Sequence, residues 1–386
     1  MPLKVLILVP GFPLDLENIK GGVHSAIINL LKGFEKKDII VRLVSLDKIK
    51  EKAFIQFSPN IEIVYCPEGN LPFHSINYFI KGPSILKGQI KEFQPDIIHF
   101  EEGNSFLLIK SRGIAHKPYL LTVHGMAFAE GRAQKKISDK INLFYNGLLQ
   151  VMLHPKNIIH ISDYSLKMHP PSESGNTEVI SNAISSSFFN LKGKAKTENL
   201  LLYIGVLNER KNILLLLKAL SALREKQINY KLTVLGGFVD KEYEEIILNY
   251  INAHKLNALV EMKGWANQSE VQRYIEMADI LVLPSRQETL PMVIAECMAA
   301  SKPVIASDVG GISEMVINKT SGLVFINEDL NDLEKALEKL YNNDTEIKEM
   351  GINANKIALE KYHCDTIADK TISFYKKILT AAGKKE

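Results

Sequence analysis

Residues 281–307 read LVLPSRQETLPMVIAECMAASKPVIAS, and the rest of the chain repeats the pattern of this stretch. An apolar run ends at Pro284, a polar turn follows, and an apolar helix is predicted to begin near Pro291. Proline is favoured at the first position of a helix, where its missing N–H costs nothing. A second apolar run, residues 303–306, closes the stretch. Runs that are apolar throughout are typical of strands covered on both faces, so this segment predicts a strand–helix–strand unit of a parallel sheet.

The same alternation extends outward along the whole chain. Further strand-like runs lie at residues 4–9, 39–44, 61–65, 96–100, 119–123, 158–162, 200–204, 232–235, 258–262 and 323–325. Stretches of helical period separate them, and a polar stretch at residues 183–199 is predicted to be a linker. We therefore expect an α/β protein with two doubly wound domains, residues 1–190 and 191–364. A ligand is expected in the cleft between them, at the carboxyl ends of the strands.

Composition narrows the class of protein. The 386 residues are 46% hydrophobic and carry a net charge of only +3, which is too balanced for nucleic acid to be the main partner. The three cysteines lie far apart without metal-ligand spacing, so we expect free thiols in a reducing compartment. No apolar run approaches the ~20 residues of a membrane span. We expect a cytoplasmic protein.

The turn before the helix at residue 291 is predicted to bind an anion. Thr289 is expected to cap the helix, and the free amides of Leu290 and Met292 would then face a phosphate group. Glu288 lies at the mouth of this turn. Glu296 follows two helical turns later and could accept two hydrogen bonds from vicinal hydroxyls, as on ribose. The alternative is that both are helix-end or surface acids, which is weaker for Glu296 because a lone buried carboxylate is costly.

Two further turns could bind phosphate groups. Arg210 and Lys211 follow the strand that ends at Gly205, and two cations there can neutralise a diphosphate, although a solvated basic turn explains them equally well. Gly22 belongs to a glycine pair that opens a helix, where a ligand can approach the backbone amides closely. The pair is not part of a GxGxxG fingerprint, which argues against a nicotinamide cofactor.

Residues of the first domain are candidates for contact with an acceptor. His124 ends a strand beside Gly125, which leaves room for a hydroxyl group, and His99 is placed similarly. For any single histidine a satisfied core position is the usual alternative. Residues 128–153 are predicted to form a helix pair with a basic face that includes Arg132. A solvated charged face is the preferred interpretation, and contact with an anionic membrane surface is the alternative.

The stretch PSRQETLPMVIAECMAASKPVIAS resembles the E-x7-E signature of the retaining glycosyltransferases of the GT4 type, which have the GT-B fold of two Rossmann-like domains. KGGVHSAIINLLKGF, QPDIIHFEEG, LTVHG, YIGVLNERKN and SDVGGISEMV are similar to other segments of that family, so the resemblance covers nearly the whole chain. It implies transfer of a hexose or N-acetylhexosamine from a nucleoside diphosphate sugar, with a UDP-sugar favoured. The acceptor would be a saccharide or a lipid-linked saccharide.

The resemblance also implies roles for single residues. Glu296 would hold the ribose hydroxyls, and Lys211 would contact the diphosphate, over which Gly22 would close. Glu288 and the backbone amides of Thr289, Leu290 and Met292 would contact the transferred sugar. His124 would contact the same sugar near the acceptor. Of these, Glu288, His124 and Lys211 would be catalytic, with His99 and Arg132 on the acceptor side. The family usually has arginine where this chain has Val206, and Arg210 is the candidate for the missing cation. Residues 365–386 would form a helix that crosses back to the first domain.

Pre-placed cations and helix amides would stabilise the departing diphosphate. The sequence has no acidic pair of the DxD type at a strand end, so we expect no metal and no cofactor. The resemblance implies attack from the face on which the diphosphate leaves, without Glu288 as a covalent nucleophile. Three alternatives stay open: a nucleotide-sugar epimerase or hydrolase of the same fold, a non-catalytic nucleotide-sugar-binding protein, and, least favoured, an NAD-dependent dehydrogenase.

Overall fold

The first sheet has eight strands in a computed structural model that describes residues 1–16, 19, 21–68, 74–101, 117–125, 155–170, 175–191 and 198–383. Its strands are β1 (Leu3–Pro10), β2 (Ile39–Asp47), β3 (Ala53–Ser58), β4 (Ile61–Pro67), β5 (Ile97–Phe100), β6 (Tyr119–Val123), β7 (Asn157–His160) and β8 (Asn176–Val179). Their order is β3-β4-β2-β1-β5-β6-β7-β8. Arg132 and the predicted helix pair at residues 128–153 lie outside the described residues.

The second sheet has six strands in the order β11-β10-β9-β12-β13-β14. These are β9 (Leu200–Ile204), β10 (Lys231–Leu235), β11 (Val260–Gly264), β12 (Ile280–Leu283), β13 (Val304–Ser307) and β14 (Gly322–Phe325). Every pairing in this sheet is parallel. In the first sheet β3 instead pairs with β4 antiparallel, so the predicted parallel sheet has an antiparallel edge strand.

The described helices connect the strands and cover both sheets. They are α1 (Gly22–Phe34), α2 (His74–Phe93), α3 (Asp163–Met168), α4 (Ser186–Phe189), α5 (Ile213–Glu225), α6 (Lys241–Ala253), α7 (Gln268–Met277), α8 (Met292–Ala299), α9 (Ile312–Met315), α10 (Leu330–Leu340), α11 (Asp344–Tyr362) and α12 (Cys364–Ala381). Among the described parts of the chain, no helix combines the length and the apolar character that crossing a bilayer requires.

Strand β1 shows why the apolar runs of the sequence form this architecture. Its side chains alternate between the two faces of the sheet, as in any strand. Val5, Ile7 and Val9 pack in the cluster that holds residues of α1 and α12. Leu6 and Leu8 pack in the opposite cluster, which holds residues of α2. Both faces are therefore buried, and the prediction of two doubly wound α/β domains is confirmed.

The C-terminal helix α12 packs against α1 in the core of the first sheet. A Cβ atom on Gly33 would lie 2.4 Å from the carbonyl oxygen of Cys364 and 2.9 Å from Cβ of Ala368, so the contact requires glycine in α1. The preceding helix α11 packs instead on α8 of the second domain. The domain boundaries at residues 190 and 364 themselves stay predictions.

The stretch predicted as a polar linker is partly built into the fold. The backbone of Ile184 accepts from the amide of Cys364 at 3.0 Å and donates to the carbonyl of Tyr362 at 2.7 Å. Residues Ser186–Phe189 form the short helix α4, and Phe188 is fully buried. The prediction of a linker throughout residues 183–199 is therefore wrong for its first part. The run of serines made this part look like a linker, but its neighbour Ile184 pairs with residues 362–364 near the other end of the chain.

The order of the strands fixes where a ligand can bind. Each sheet has a switch point where chain connections leave in opposite directions, and the crevice outside it is the usual ligand site of an open α/β sheet. In the first sheet the switch point lies between β1 and β5, and in the second between β9 and β12. The turns after β5, β9 and β12 are therefore the segments in which to look for chemistry.

His160 gives the first prediction, on stability. It ends β7, is fully buried, and neither ring nitrogen has a hydrogen-bond partner in the described structure. Burial and, to a lesser degree, the nearby His169 lower the pKa of His160 to about 4. Between the unfolded pKa near 6.5 and this value, protons bind the unfolded chain and not the native one, so stability falls as the pH falls.

His160→Gln, which cannot titrate, should remove this dependence. Between pH 7 and pH 4 the wild type should lose roughly 2–3 kcal/mol more unfolding free energy than H160Q, because one such proton is linked to unfolding. Urea denaturation at both pH values measures the difference. Parallel pH profiles for the two proteins would contradict it.

Candidate active site

A buried carboxylate, that of Glu288, occupies the turn between β12 and α8. Lys211 donates to Oε1 of Glu288 at 2.5 Å, and Ser285 donates to the same oxygen at 2.7 Å. The guanidinium of Arg210 lies 3.6 Å from Oε2. Burial alone would raise the pKa of Glu288, but the charges of Lys211 and Arg210 and these hydrogen bonds hold it below its ordinary value. Glu288 is thus an ionised carboxylate between two cations.

The two cations stand on the turn between β9 and α5, directly across the switch point from Glu288. Arg210 also donates to the backbone carbonyl of Gln287 at 2.9 Å and accepts, at its own carbonyl, from the amide of Arg286 at 2.8 Å. These bonds tie the turn after β9 to the turn after β12. The sequence predicted Arg210, Lys211 and Glu288 separately, and the structure brings them together.

The start of helix α8 departs from the prediction. The N-cap is Pro291, with no side-chain cap, and the helix begins at Met292. Thr289 is therefore not the cap: its hydroxyl is buried and has no partner among the described residues. Proline with ψ near 114° already stands outside the helix, so Thr289 lies too far upstream to reach the first amides. Leu290, beside it, is nearly buried.

Glu296 lies in the second turn of α8 and is half-buried. No hydrogen bond or ion pair joins its carboxyl to any described residue. Burial without a compensating charge raises the pKa of Glu296 to about 7. The two glutamates of the E-x7-E stretch thus differ in charge state near neutral pH, Glu288 being ionised and Glu296 titrating.

The glycine pair at residues 310–311 supports the turn from behind. Gly310 has φ of 56°, and a Cβ atom there would lie 1.7 Å from the carbonyl oxygen of Glu288. A Cβ on Gly311 would lie 2.1 Å from the carbonyl oxygen of Thr289. The loop therefore packs directly on the backbone of the candidate site. The sequence analysis noted this pair only as part of a resemblance and did not find its role.

The first domain reaches this site at the start of α1. A Cβ atom on Gly22 would lie 3.3 Å from Cγ of Met292, so the beginnings of α1 and α8 are in contact. A second contact joins the domains nearby. Glu314 accepts from the amides of Asp163 and Tyr164, at 2.9 and 2.6 Å, at the start of α3. The structure thus places Gly22 across from the turn that holds Glu288.

The two predicted histidines occupy different positions. His124 follows β6, and its Nε2 lies 2.9 Å from Oε2 of Glu101. His99 is 1% exposed, and its ring nitrogens lie 2.6 Å from the hydroxyls of Thr122 and Tyr375. Both ring nitrogens of His99 are thus used inside the core, and its contact with an acceptor stays a prediction. Glu101, which the sequence analysis did not single out, follows β5 at the switch point of the first sheet.

Two Rossmann-like domains that meet where Gly22 of α1 lies beside Met292 of α8 have the architecture of the GT-B fold, and comparisons with known proteins agree. Residues 186–357 match the family described as glycosyl transferases group 1, and residues 20–188 match glycosyltransferase family 4. The chain belongs to the GT4-type glycosyltransferases.

Similar proteins span much of the chain. An uncharacterised glycosyltransferase of Methanocaldococcus jannaschii is 28% identical over 343 residues, 88% of this chain and 90% of that one. A lipopolysaccharide 1,2-N-acetylglucosaminetransferase of Salmonella typhimurium is 30% identical over 46% of this chain and 48% of its own length.

Solved structures share the fold. Sucrose-phosphate synthase of Thermosynechococcus elongatus has a TM-score of 0.83 at 19% identity, and the match covers 98% of this chain and 100% of that one. HepE of Anabaena, in complex with UDP and glucose, has a TM-score of 0.74 at 16% identity, covering 97% and 99%. The GT-B prediction is confirmed.

Glu296→Gln should stabilise the protein at alkaline pH. A carboxyl whose folded pKa is raised destabilises the native state once the pH exceeds the unfolded pKa, because the native state resists losing the proton. Between pH 5 and pH 8 the wild type should lose roughly 2–3 kcal/mol relative to E296Q, by linkage between pKa values near 4.5 and 7. Thermal or urea unfolding at the two pH values measures this loss, and pH 5 serves as the internal control. An equal change in both proteins would show that Glu296 is not desolvated.

Proposed function

We propose that the protein transfers a hexose or N-acetylhexosamine from a UDP-sugar to a saccharide or lipid-linked saccharide acceptor, with retention and without a divalent metal. The observation that carries the proposal is the pairing of ionised Glu288 with Lys211 and Arg210 at the switch point of the second sheet. A nucleoside diphosphate leaving group develops negative charge, and two fixed cations beside a sugar-binding carboxylate suit that departure.

The donor is proposed from the site together with the similar proteins. HepE of Anabaena was solved with UDP and glucose, and the Salmonella typhimurium relative is named for transfer of N-acetylglucosamine. Glu296, whose carboxyl has no partner in the described structure, suits a hydroxyl pair such as that of ribose, because an ionised carboxylate accepts two hydrogen bonds.

In the proposed reaction the bond between the anomeric carbon and the phosphate oxygen breaks, and the oxygen leaves with the bonding electrons. The acceptor hydroxyl attacks from the same face and passes its proton to a leaving phosphate oxygen. Lys211 and Arg210 offset the growing negative charge of the diphosphate. Arg210 thereby replaces the arginine that the family usually has at the position of Val206. Since these cations supply the charge, we propose that no metal is needed. Closure of the two domains, which meet at Gly22 and Met292, would exclude water from the reaction.

The acceptor would enter from the side of His124. A lipid-linked acceptor and peripheral membrane contact through residues 128–153 stay predictions of the sequence. The described geometry favours His124 over His99 for contact with an acceptor, because the His99 ring is enclosed by Thr122 and Tyr375.

Nucleotide binding tests the donor. A thermal-shift panel with UDP, GDP, ADP, CMP and NAD, each with and without EDTA, should show a rise in melting temperature with UDP that EDTA does not change. A ligand that binds only the native state stabilises it in proportion to the logarithm of its concentration over Kd, about 2.7 kcal/mol at a hundredfold excess. A response to NAD alone, or one abolished by EDTA, would contradict the proposal.

Incubation with UDP-glucose separates the alternatives. An epimerase or hydrolase would convert the donor completely when no acceptor is added, at rates that an added acceptor does not raise. A non-catalytic binding protein would respond to UDP in the thermal panel and never release UDP. The proposed transferase should release UDP slowly alone and faster with a suitable saccharide.

Two substitutions separate the roles of Glu288 and Lys211. Glu288→Gln keeps the shape of the turn but removes the charge, so UDP release should fall at least about 100-fold while the Kd for UDP changes little. Lys211→Ala should weaken UDP roughly 10- to 100-fold but uridine hardly at all, since a charged hydrogen bond contributes about 1.5–3 kcal/mol.

Lys218→Ala is the control for Lys211, because Lys218 is an exposed lysine on α5, the helix that directly follows the turn of Lys211. Isothermal titration with UDP and uridine provides the binding constants. Equal losses for UDP and uridine in K211A would remove Lys211 from the diphosphate site, and full activity in E288Q would remove Glu288 from the reaction.

A further inference from the structure

Glu101 is a buried carboxylate at the switch point of the first sheet that the proposed reaction has not yet used. Its side chain is 2% exposed. Each of its oxygens faces a histidine: Oε2 lies 2.9 Å from Nε2 of His124, and Oε1 lies 3.4 Å from Nε2 of His99. A carboxylate is rarely buried without such partners, because removing its charge from water is costly.

The hydrogen bonds behind Glu101 have a defined direction. Thr122 donates its single hydroxyl proton to Glu101. Its oxygen therefore accepts from Nε2–H of His99, 2.6 Å away. Burial lowers the pKa of His99, and a neutral ring with its proton on Nε2 accepts at Nδ1 from the hydroxyl of Tyr375 at 2.6 Å. Every donor in this series is directed toward the carboxylate.

Glu101 therefore accepts hydrogen bonds and donates none. Burial would raise the pKa of Glu101, but the hydrogen bonds from His124 and from Thr122 lower it, so the group is ionised. An ionised carboxylate has no proton to give. The proton on the bond between Glu101 and His124 must then belong to Nε2 of His124.

The other ring nitrogen of His124 is consequently an acceptor in the neutral ring. Nδ1 is buried and has no hydrogen-bond partner within the described ranges. His124 and Glu101 line a small cavity together with Ala26 and Ile27 of α1 and with Asn182. The ring of His124 thus forms part of a cavity wall, and its unpartnered Nδ1 can accept a hydrogen bond from a hydroxyl group.

We propose that Glu101 is a positioning residue, which holds His124 as the Nε2–H tautomer and so presents the Nδ1 lone pair to a hydroxyl group of the bound saccharide. The ligand part of this inference rests on the proposed function; the tautomer part does not. Glutamine at this position would have the same size, but its amide can donate to Nε2 and would allow the opposite tautomer, with Nδ1 protonated.

Nitrogen NMR of protein labelled with 15N-histidine tests the tautomer directly. The chain has 10 histidines, and the signals of His124 are identified by their loss in His124→Asn. In the wild type, Nδ1 of His124 should show the chemical shift of an unprotonated ring nitrogen and Nε2 that of a protonated one. In Glu101→Gln the two shifts should move toward each other or exchange. A protonated Nδ1 in the wild type, or unchanged shifts in E101Q, would overturn the proposal.

Kinetics test the consequence with UDP-glucose as the probe, by release of UDP. E101Q should lower kcat by about tenfold or more, with KM and the Kd for UDP within about threefold, because a misoriented hydrogen-bond acceptor affects the reacting state more than the ground state. E101Q combined with H124A should be no slower than H124A alone, since Glu101 acts through His124. Glu101→Asp, which keeps the charge, should recover part of the activity.

Controls separate this inference from the proposed function and from misfolding. Glu35→Gln removes an exposed glutamate at the end of α1 and should behave as the wild type. Melting temperature and UDP binding report whether E101Q is folded, and E101D provides a second variant if it is not. A wild type that does not bind UDP would refute the proposed function while the NMR result still decided the role of Glu101. Additive losses in E101Q/H124A would refute the positioning role alone.

Discussion

A buried negative charge needs nearby positive charge, and Lys211 and Arg210 provide it for Glu288. This requirement determines how the turns of the second domain meet. Without Lys211 and Arg210 the desolvated carboxylate would be protonated or the turn would open to water, because unpaired buried charges are strongly destabilising. The pairing fastens the turn after β9 to the turn after β12, which are neighbours only because the strand order reverses there. Gly310 then lets a third loop pack against the backbone of Glu288. One electrostatic requirement thus holds three separate segments together at the candidate site.

Three carboxylates near the strand ends show how surroundings set chemistry. Glu288 lies between two cations, and Glu101 accepts hydrogen bonds from His124 and Thr122. The pKa of each carboxyl is therefore lowered. Glu296 has only burial, and its pKa rises to about 7. Groups of one chemical type are thereby divided between permanently charged acceptors and a group that titrates near neutral pH. Under the proposed function, the ribose hydroxyls of the donor would supply the hydrogen bonds that ionised Glu296 lacks.

The sequence predicted the sheets because a strand buried on both faces must be apolar throughout, and such runs are visible without any tertiary information. It missed β3, whose half-exposed alternation marks an edge strand, and the segment at Ile184, whose partner is near the opposite end of the chain. The same limit applied to the site. Glu288, Lys211 and Arg210 stood in short local patterns, whereas the burial of His99 depends on Tyr375 of α12, and no local pattern distinguishes it from His124.

The last helix explains how two domains can present one site. α11 packs on the second domain and α12 on the first, so the chain crosses between them at His363 and Cys364, where it also pairs with Ile184. The crossing brings Tyr375 behind His99, and the series of hydrogen bonds that begins at Tyr375 ends at Glu101, which also accepts from His124. A helix whose sequence position is far from either domain's site therefore contributes both to the joint between the domains and to the orientation of a group on the wall of the cleft. The packing of α12 and the orientation of His124 are therefore coupled. A substitution that loosens α12 should change the orientation of His124 before it changes the position of Glu288.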